Sequence, residues 1–352
     1  GTTLDYKVEF VADYIVRRDP NGNWVDGSDD NLLAGVTGGA VNDIKEASNG
    51  DIYICGSFTG VSNGGSAVAN TKGIARWSKA NQVWEAVGNP NTGATITDIY
   101  RMTFDANGDL YVIGDFLSLA NITAADHIAK FTVSTGAWSA FSESVVGILG
   151  RPYAIAISPA GTIYVGGSFT DVGSDLADYL VYWNGSAWKR VGNGSSIVVK
   201  SLKFHPNGDL IIAGINVGSD DNICRWTGST YAWFTDAGST KLSDEVLSVD
   251  ITPNGTIVVA GRFTNAGGDP NADYIAQWNG TNWQSIGGAA PNNIVYRVFC
   301  TSDDFIYASG YFTTVGSLTL TDRVAVYKNG AWQPLDIDLP GSGIVYSICK
   351  AS

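Results

Sequence analysis

Two adjacent register positions of a recurring segment hold most of the side chains that could do chemistry. The first carries Asn42, Tyr100, Tyr153, Lys200, Leu247, Tyr296 and Tyr346; the next carries Asp43, Arg101, Ala154, Ser201, Ser248, Arg297 and Ser347. Tyrosine offers a flat apolar face with a hydroxyl at its tip, and arginine a fork of N–H donors, so this set suits a sugar or a carboxylated ligand. Asp43, Tyr100, Arg101, Tyr153, Tyr296, Arg297 and Tyr346 are therefore the candidate binding residues. The competing account is that the tyrosines pack between neighbouring segments while Arg101 and Arg297 neutralise Asp43. Neither account supplies a catalytic residue.

Other chemistries are narrowed by what is missing. Only two histidines occur, His127 and His205, too far apart in the repeat to meet, which removes a Ser-His-Asp triad or a histidine-rich metal centre. Carboxylates are plentiful in the variable connections, and Asp29, Asp30, Asp220 and Asp221 are the candidates for a Ca²⁺ site. Two such acids could also form a glycosidase pair, but no spacing selects one pair, and solvated loop acids are the simpler account. The Asp105–Asp109 stretch begins like a calcium loop yet lacks the closing acid at position 12. No other cofactor is expected. Four cysteines, Cys55, Cys224, Cys300 and Cys349, show no CxxC spacing; Cys300 and Cys349 sit on neighbouring segments, where a disulfide is conceivable and buried free thiols are the simpler account.

A net charge of −13 with only 21 Lys and Arg opposes a nucleic-acid partner, because phosphate binding requires a basic stripe. No run of 18 apolar residues exists, so no membrane span is expected. The chain starts with Gly rather than Met, as a processed or trimmed segment does.

The elements that position these residues are repeated. IYICGSFT at Ile52–Thr59 returns as LYVIGDFL, IYVGGSFT, LIIAGINV, IVVAGRFT and IYASGYFT, with glycines Gly56, Gly114, Gly167, Gly214, Gly261 and Gly310 spaced 58, 53, 47, 47 and 49 residues apart. In Val246–Gly288 each unit reads as four short strands joined by Asn-Gly turns, an antiparallel meander. Such a sheet cannot bury both faces alone, so units of this length stack radially, and the expected fold is an all-β propeller of four-stranded antiparallel blades.

The ends set the expected blade number. Residues 4–27 match strands two to four of a unit, and 343–352 match a first strand alone. Joined as one closing blade, they add to internal blades at about 41–88, 99–141, 152–192, 199–234, 246–287 and 295–335, giving a single seven-bladed domain, 1–352. A fourth-strand tryptophan is expected in every blade (Trp24, Trp84, Trp138, Trp188, Trp233, Trp283, Trp332), with Trp77, Trp183, Trp226 and Trp278 on third strands. Length variation is confined to the second-to-third links, such as the Thr59–Gly73 insert, and to the links between blades. All of these emerge on one face, and variable loops on a rigid scaffold are where binding concentrates. The first strands then line a central channel, with the candidate residues at its mouth.

The unit G-x-F-T-x-x-G…A-x-x-I-A-x-W-N-G-x-x-W, as in Gly261–Gly287 and Gly167–Gly192, resembles the propeller repeats of secreted bacterial surface proteins, phage-borne structural proteins and fungal cortical-marker proteins. Its layout is similar to kelch propellers without their regular Gly-Gly doublet. The resemblance implies extracellular display and binding and carries no catalytic residue over; the expected function is a non-catalytic recognition module on a cell or virion surface, binding a glycan or surface protein through the variable-loop face. A structural or decoration domain in a larger assembly and a polysaccharide-active enzyme using channel-mouth carboxylates are the alternatives.

Overall fold

Continuous apolar runs such as Ile52–Gly56 require strands covered on both faces, and all five residues of that strand are buried. The computed structural model describes residues 17–18, 24–25, 35–141, 150–172, 177–218, 220–234, 241–319, 323–335 and 346–347. Within them lie six four-stranded antiparallel sheets, each a meander in chain order. Their first strands are Val41–Glu46, Thr95–Phe104, Pro152–Ile157, Ile197–Phe204, Val246–Ile251 and Val295–Cys300. From the first sheet to the fifth, each lies beside the first strand of the next.

The core sits between sheets rather than within one. Tyr53, Cys55 and Ile74 of the first sheet pack with Met102, Leu110 and Val112 of the second. The same interleaving joins second to third, third to fourth, fourth to fifth and fifth to sixth. The repeat phenylalanines Phe116, Phe169, Phe263 and Phe312 are buried in these seams, and Phe58 in the cluster on the other side of the first sheet, with Val36, Val61 and Tyr346.

Cross-strand aromatic pairs fix the outer strands. Trp77 lies opposite Trp84, Phe131 opposite Trp138, Trp183 opposite Trp188, Trp278 opposite Trp283 and Tyr327 opposite Trp332. Their ring centroids lie 5.1–5.7 Å apart, the range of favourable edge and offset contacts. In the fourth sheet Trp226 and Trp233 lie on the third and fourth strands, as expected, but they do not face each other. Trp226 pairs with Tyr231, not Trp233, which falls opposite Cys224. The Tyr231 hydroxyl donates to the Val191 carbonyl at 2.9 Å, the task that the indoles of Trp138 and Trp332 perform on Val87 and Ile286. Tyr231 is thus the structural equivalent of the other sheets' tryptophan.

The insert between Thr59 and Gly73 is not a loop throughout. Gly60–Asn63 and Ser66–Val68 form a hairpin turned by Gly64 and Gly65, and Val36–Thr37 adds a third strand. Of the segments expected to close the fold, 4–27 is described only as the strand pair Arg17–Arg18 and Trp24–Val25, and 343–352 only at Tyr346 and Ser347. Cys55, Cys224 and Cys300 are free thiols, with burial pushing each thiol pKa up; Cys349 lies outside the described residues.

Candidate functional site

A backbone irregularity repeated in every four-stranded sheet builds the site. Val41 pairs with Gly56 and Asp43 with Cys55, so Asn42 is an extra residue without a partner. The same skip falls at Tyr100, Tyr153, Lys200, Leu247 and Tyr296. A β-bulge of this kind bends the strand and re-aims a side chain. Here it brings one residue per sheet to a common axis.

The repeat glycine is the bulge's counterpart. A Cβ on Gly56, Gly114, Gly167, Gly214, Gly261 or Gly310 would land on the carbonyl oxygen that precedes the facing strand residue. Only a residue without a side chain lets the bulged backbone come that close.

These bulged residues surround a cavity of about 180 Å³, lined by Asn42, Asp98, Tyr100, Arg101, Tyr153, Lys200, Leu247, Tyr296 and Tyr346. Because the bulge lies near the start of each first strand, this mouth opens on the face of the variable connections. Tyr100 meets Tyr153 at 5.7 Å between ring centroids, and Tyr296 meets Tyr346 at 5.8 Å. Lys200 Nζ lies 4.0 Å from the Tyr153 ring centre and 3.4 Å from Glu245 Oε1. Burial pushes the Tyr100 phenol up to about 12, so it remains a donor.

Asp98 is a site residue that the repeat pattern did not single out. It accepts a hydrogen bond from Asn42 Nδ2 at 2.5 Å and pairs across the strands with Asp115. Burial, with Asp115 adding to it, pushes its carboxyl up to about 6 against the Asn42 hydrogen bond.

Below the mouth the next register position forms a waist. Asp43 is 1% exposed. Its Oδ2 accepts the Met102 N–H at 3.1 Å, and its Oδ1 accepts the Ser347 hydroxyl at 3.1 Å. Lys45 Nζ and Arg297 Nη2 each stand 3.5 Å from Oδ1. Burial raises the Asp43 pKa, but Lys45, Arg297, Arg101 and the Met102 N–H outweigh it and hold the carboxyl below its ordinary range. Arg101 donates from Nη1 to the Tyr100 and Asn42 carbonyls at 2.8 and 3.1 Å. Burial and the Arg297 charge pull its pKa down to about 10. Ser201 and Ser248, at the same register position, accept the Val249 and Val298 N–H groups of the following sheet. This position therefore stitches sheets together.

The candidate set thus divides. Tyr100, Tyr153, Tyr296 and Tyr346 gather at the mouth, Arg101 borders both levels, and Asp43 and Arg297 belong to the waist. Asp221 is buried, with Oδ1 accepting the Leu242 and Asn222 N–H groups. Burial pushes its carboxyl up to about 6. Among the described residues no three His, Cys, Asp or Glu side chains gather as a metal site. Asp29 and Asp30 lie outside them. Asp105 accepts the Asn107 and Asp109 N–H groups and sits 3.7 Å from Lys130, an ordinary turn. No described helix is long and apolar enough to cross a membrane.

Four-stranded antiparallel sheets side by side around an axial cavity define a β-propeller. The family model of the Rax2 C-terminal beta propeller domain matches residues 153–300. Virginiamycin B lyase from Staphylococcus aureus superposes with a TM-score of 0.53 at 11% identity, covering 85% of each chain. The extracellular domain of a putative hybrid two component system from B. thetaiotaomicron superposes with a TM-score of 0.56 at 14% identity, over 87% of this chain and 38% of that one. A GH74 enzyme from Niastella koreensis gives a TM-score of 0.55 at 18% identity, over 85% of this chain and 45% of its own. The chain therefore spans less than half the length of the last two. At such identities these likenesses concern the fold alone. No match is found among curated protein sequences.

Proposed function

We propose that this protein is a non-catalytic recognition module displayed on a cell or virion surface, reading a glycan through the tyrosine-walled mouth of its channel. The observation that carries the reading is the bulge repeated in six sheets, which spends a backbone irregularity in each on aiming one side chain at the axis. Aromatic faces beside hydroxyls, an amide and Asp98 match the alternating apolar and polar surface of a sugar ring. A cavity of about 180 Å³ is smaller than the roughly 300–1,000 Å³ that engulfs a drug-sized ligand, so the mouth takes a terminal residue end-on. The extracellular domain among the superposing structures agrees with display outside the cell.

The rigid frame for such a mouth is a single seven-bladed domain over 1–352, closed by 4–27 with 343–352. The Ser347 hydroxyl on Asp43 supports closure, because it ties the C-terminal segment to the first sheet. Deleting Gly343–Ser352 is expected to expose sheet edges and lower the melting temperature or cause association. A truncated chain that stays monomeric with unchanged melting overturns closure.

The test of function is a glycan array probed with the full chain, with calcium and with chelator. The expected result is selective binding that survives chelation and falls at least tenfold in Tyr296→Ala and Tyr100→Ala. Binding to a protein and no glycan overturns it. Chemical conversion of the bound glycan, lost in Asp98→Asn, would favour the polysaccharide-active reading instead, for which the raised Asp98 carboxyl is the supporting observation.

A further inference from the structure

The channel has a second end, and its chemistry is opposite to that of the mouth. Beneath the waist lies a cavity of about 320 Å³ that opens toward the short stereotyped turns. Five cationic side chains line it, Lys45, Arg101, Lys200, Lys203 and Arg297, against two carboxylates, Asp43 and Asp250. They come from four of the sheets, so the concentration is a property of the assembled ring and not of one basic strand.

The ion pairs do not cancel this charge. Lys200 is taken by Glu245 at 3.4 Å and Lys203 by Asp250 at 2.7 Å. Lys45, Arg101 and Arg297 are left with Asp43 and, on the mouth side of Arg101, Asp98, an excess of one positive charge in a chain whose net charge is −13. Asp43 engages one donor of Arg297 at 3.5 Å. The remaining guanidinium donors have no partner among the described residues, and Arg101 spends only Nη1 on carbonyls. The strain of the arrangement shows in Arg101, which burial and then Arg297 hold below an arginine's ordinary range. Like charges kept together without enough counter-charge favour an incoming anion, and a partly enclosed cavity strengthens that attraction.

We infer that this turn-side cavity is a binding site for a compact tetrahedral oxyanion, the phosphate or sulfate group of an esterified ligand. Two guanidinium groups and an ammonium approaching from three strands surround a centre in three dimensions. That arrangement matches a tetrahedral anion better than a flat carboxylate, which one arginine fork satisfies in a plane. Lys45 and Lys203, with side chains 32% and 46% exposed, stand at the entrance, while Arg297 at 17% lies deeper. Phe204 and Phe299 flank the cavity and offer apolar surface to the body of the ester. Arg101, Tyr153 and Lys200 line both cavities, whereas Lys45, Lys203 and Arg297 belong to this one alone and do not bear on glycan reading at the mouth.

Inorganic phosphate and sulfate, titrated into the full chain at constant ionic strength made up with chloride, are the probes, read by calorimetry and thermal melting. Saturable binding that chloride does not reproduce is expected, weakened at least tenfold in Lys45→Gln and in Arg297→Gln and unchanged in Tyr296→Ala. Lys203→Gln, at the half-exposed entrance, serves as the variant least demanding on folding and is expected to weaken binding severalfold. The pH dependence separates the two sources: preference for phosphate growing as the anion takes its second negative charge around neutral pH marks a phosphate ester, and equal or tighter sulfate binding marks a sulfate ester. Melting shifts no larger than those in chloride, or affinities unchanged in all three cavity variants, overturn the inference.

Discussion

Asp43→Asn is expected to destabilise the protein by about 3 kcal/mol at neutral pH, the lower end of the roughly 3–5 kcal/mol lost when one partner of a buried ion pair is removed. The lower end applies because Lys45 and Arg297 keep some contact with water. The substitution conserves shape and leaves an acceptor for the Met102 N–H, so what it removes is the charge that lets three cations stand together at the waist. The pH dependence has a definite sign. A carboxyl held below its ordinary value of 3.8 contributes stability that is fully present above that value and lost as pH falls through the lower, folded value. The gap between wild type and variant should therefore be constant from pH 7 to about pH 5 and narrow below pH 4. Urea unfolding at pH 7, 5 and 3 measures it; equal stability at pH 7 would mean that the waist cations find their counter-charge elsewhere. A second consequence links stability to ligand. If the cavity holds an oxyanion, phosphate should rescue Asp43→Asn more than wild type, because the anion then supplies the missing charge.

The tyrosine mouth could be read from the chain because a repeat makes register visible: residues at one offset from the Val246-type apolar position must share a level of the fold. What aims them could not be read. A bulge is an extra backbone residue, and it leaves no mark on side-chain types except the facing glycine, which the repeat displays without its reason. Asp98 escapes the repeat pattern because it precedes the apolar position Ile99 that opens the unit, although the strand Thr95–Phe104 begins before it. Lys45 and Lys203 lie two residues beyond Asp43 and Ser201, hence on the same side of their strands, so the turn-side cavity was within reach of the same register argument. In the fourth sheet the tryptophan pattern places Trp233 on its strand but passes over Tyr231, the residue that faces Trp226. All five other sheets keep a five-residue separation or a seven-residue one with a longer turn, and five residues after Trp226 stands Tyr231. Blade number is the reverse case: the ends of the sequence suggest seven, while the described residues show six four-stranded sheets and touch the closing segment only at Tyr346 and Ser347.

Gly114→Ala should be among the most damaging single-methyl changes available. The added Cβ would fall on the Asp98 carbonyl oxygen and within 2.7 Å of the Ile99 Cα, both backbone atoms that no rotamer change can move. Overpacking a well-filled site costs typically about 1–3 kcal/mol, and with only backbone to yield the upper end is expected. The relief available is to iron out the bulge, and that has a functional price distinct from stability. Without the extra residue, the strand from Tyr100 onward shifts by one place against Leu110–Leu117, which turns Tyr100 away from the axis. Glycan binding should therefore fall even at temperatures where the variant remains folded. Gly60→Ala is the control. It adds the same methyl where the nearest atom, Thr71 Oγ1, is 3.5 Å away, an ordinary contact, and its stability should stay within about 0.5 kcal/mol of wild type. Chemical denaturation of both variants gives the comparison. Equal stability would show that the strands tolerate a flat register, and the bulge would then lose its claim to be what points each residue at the channel.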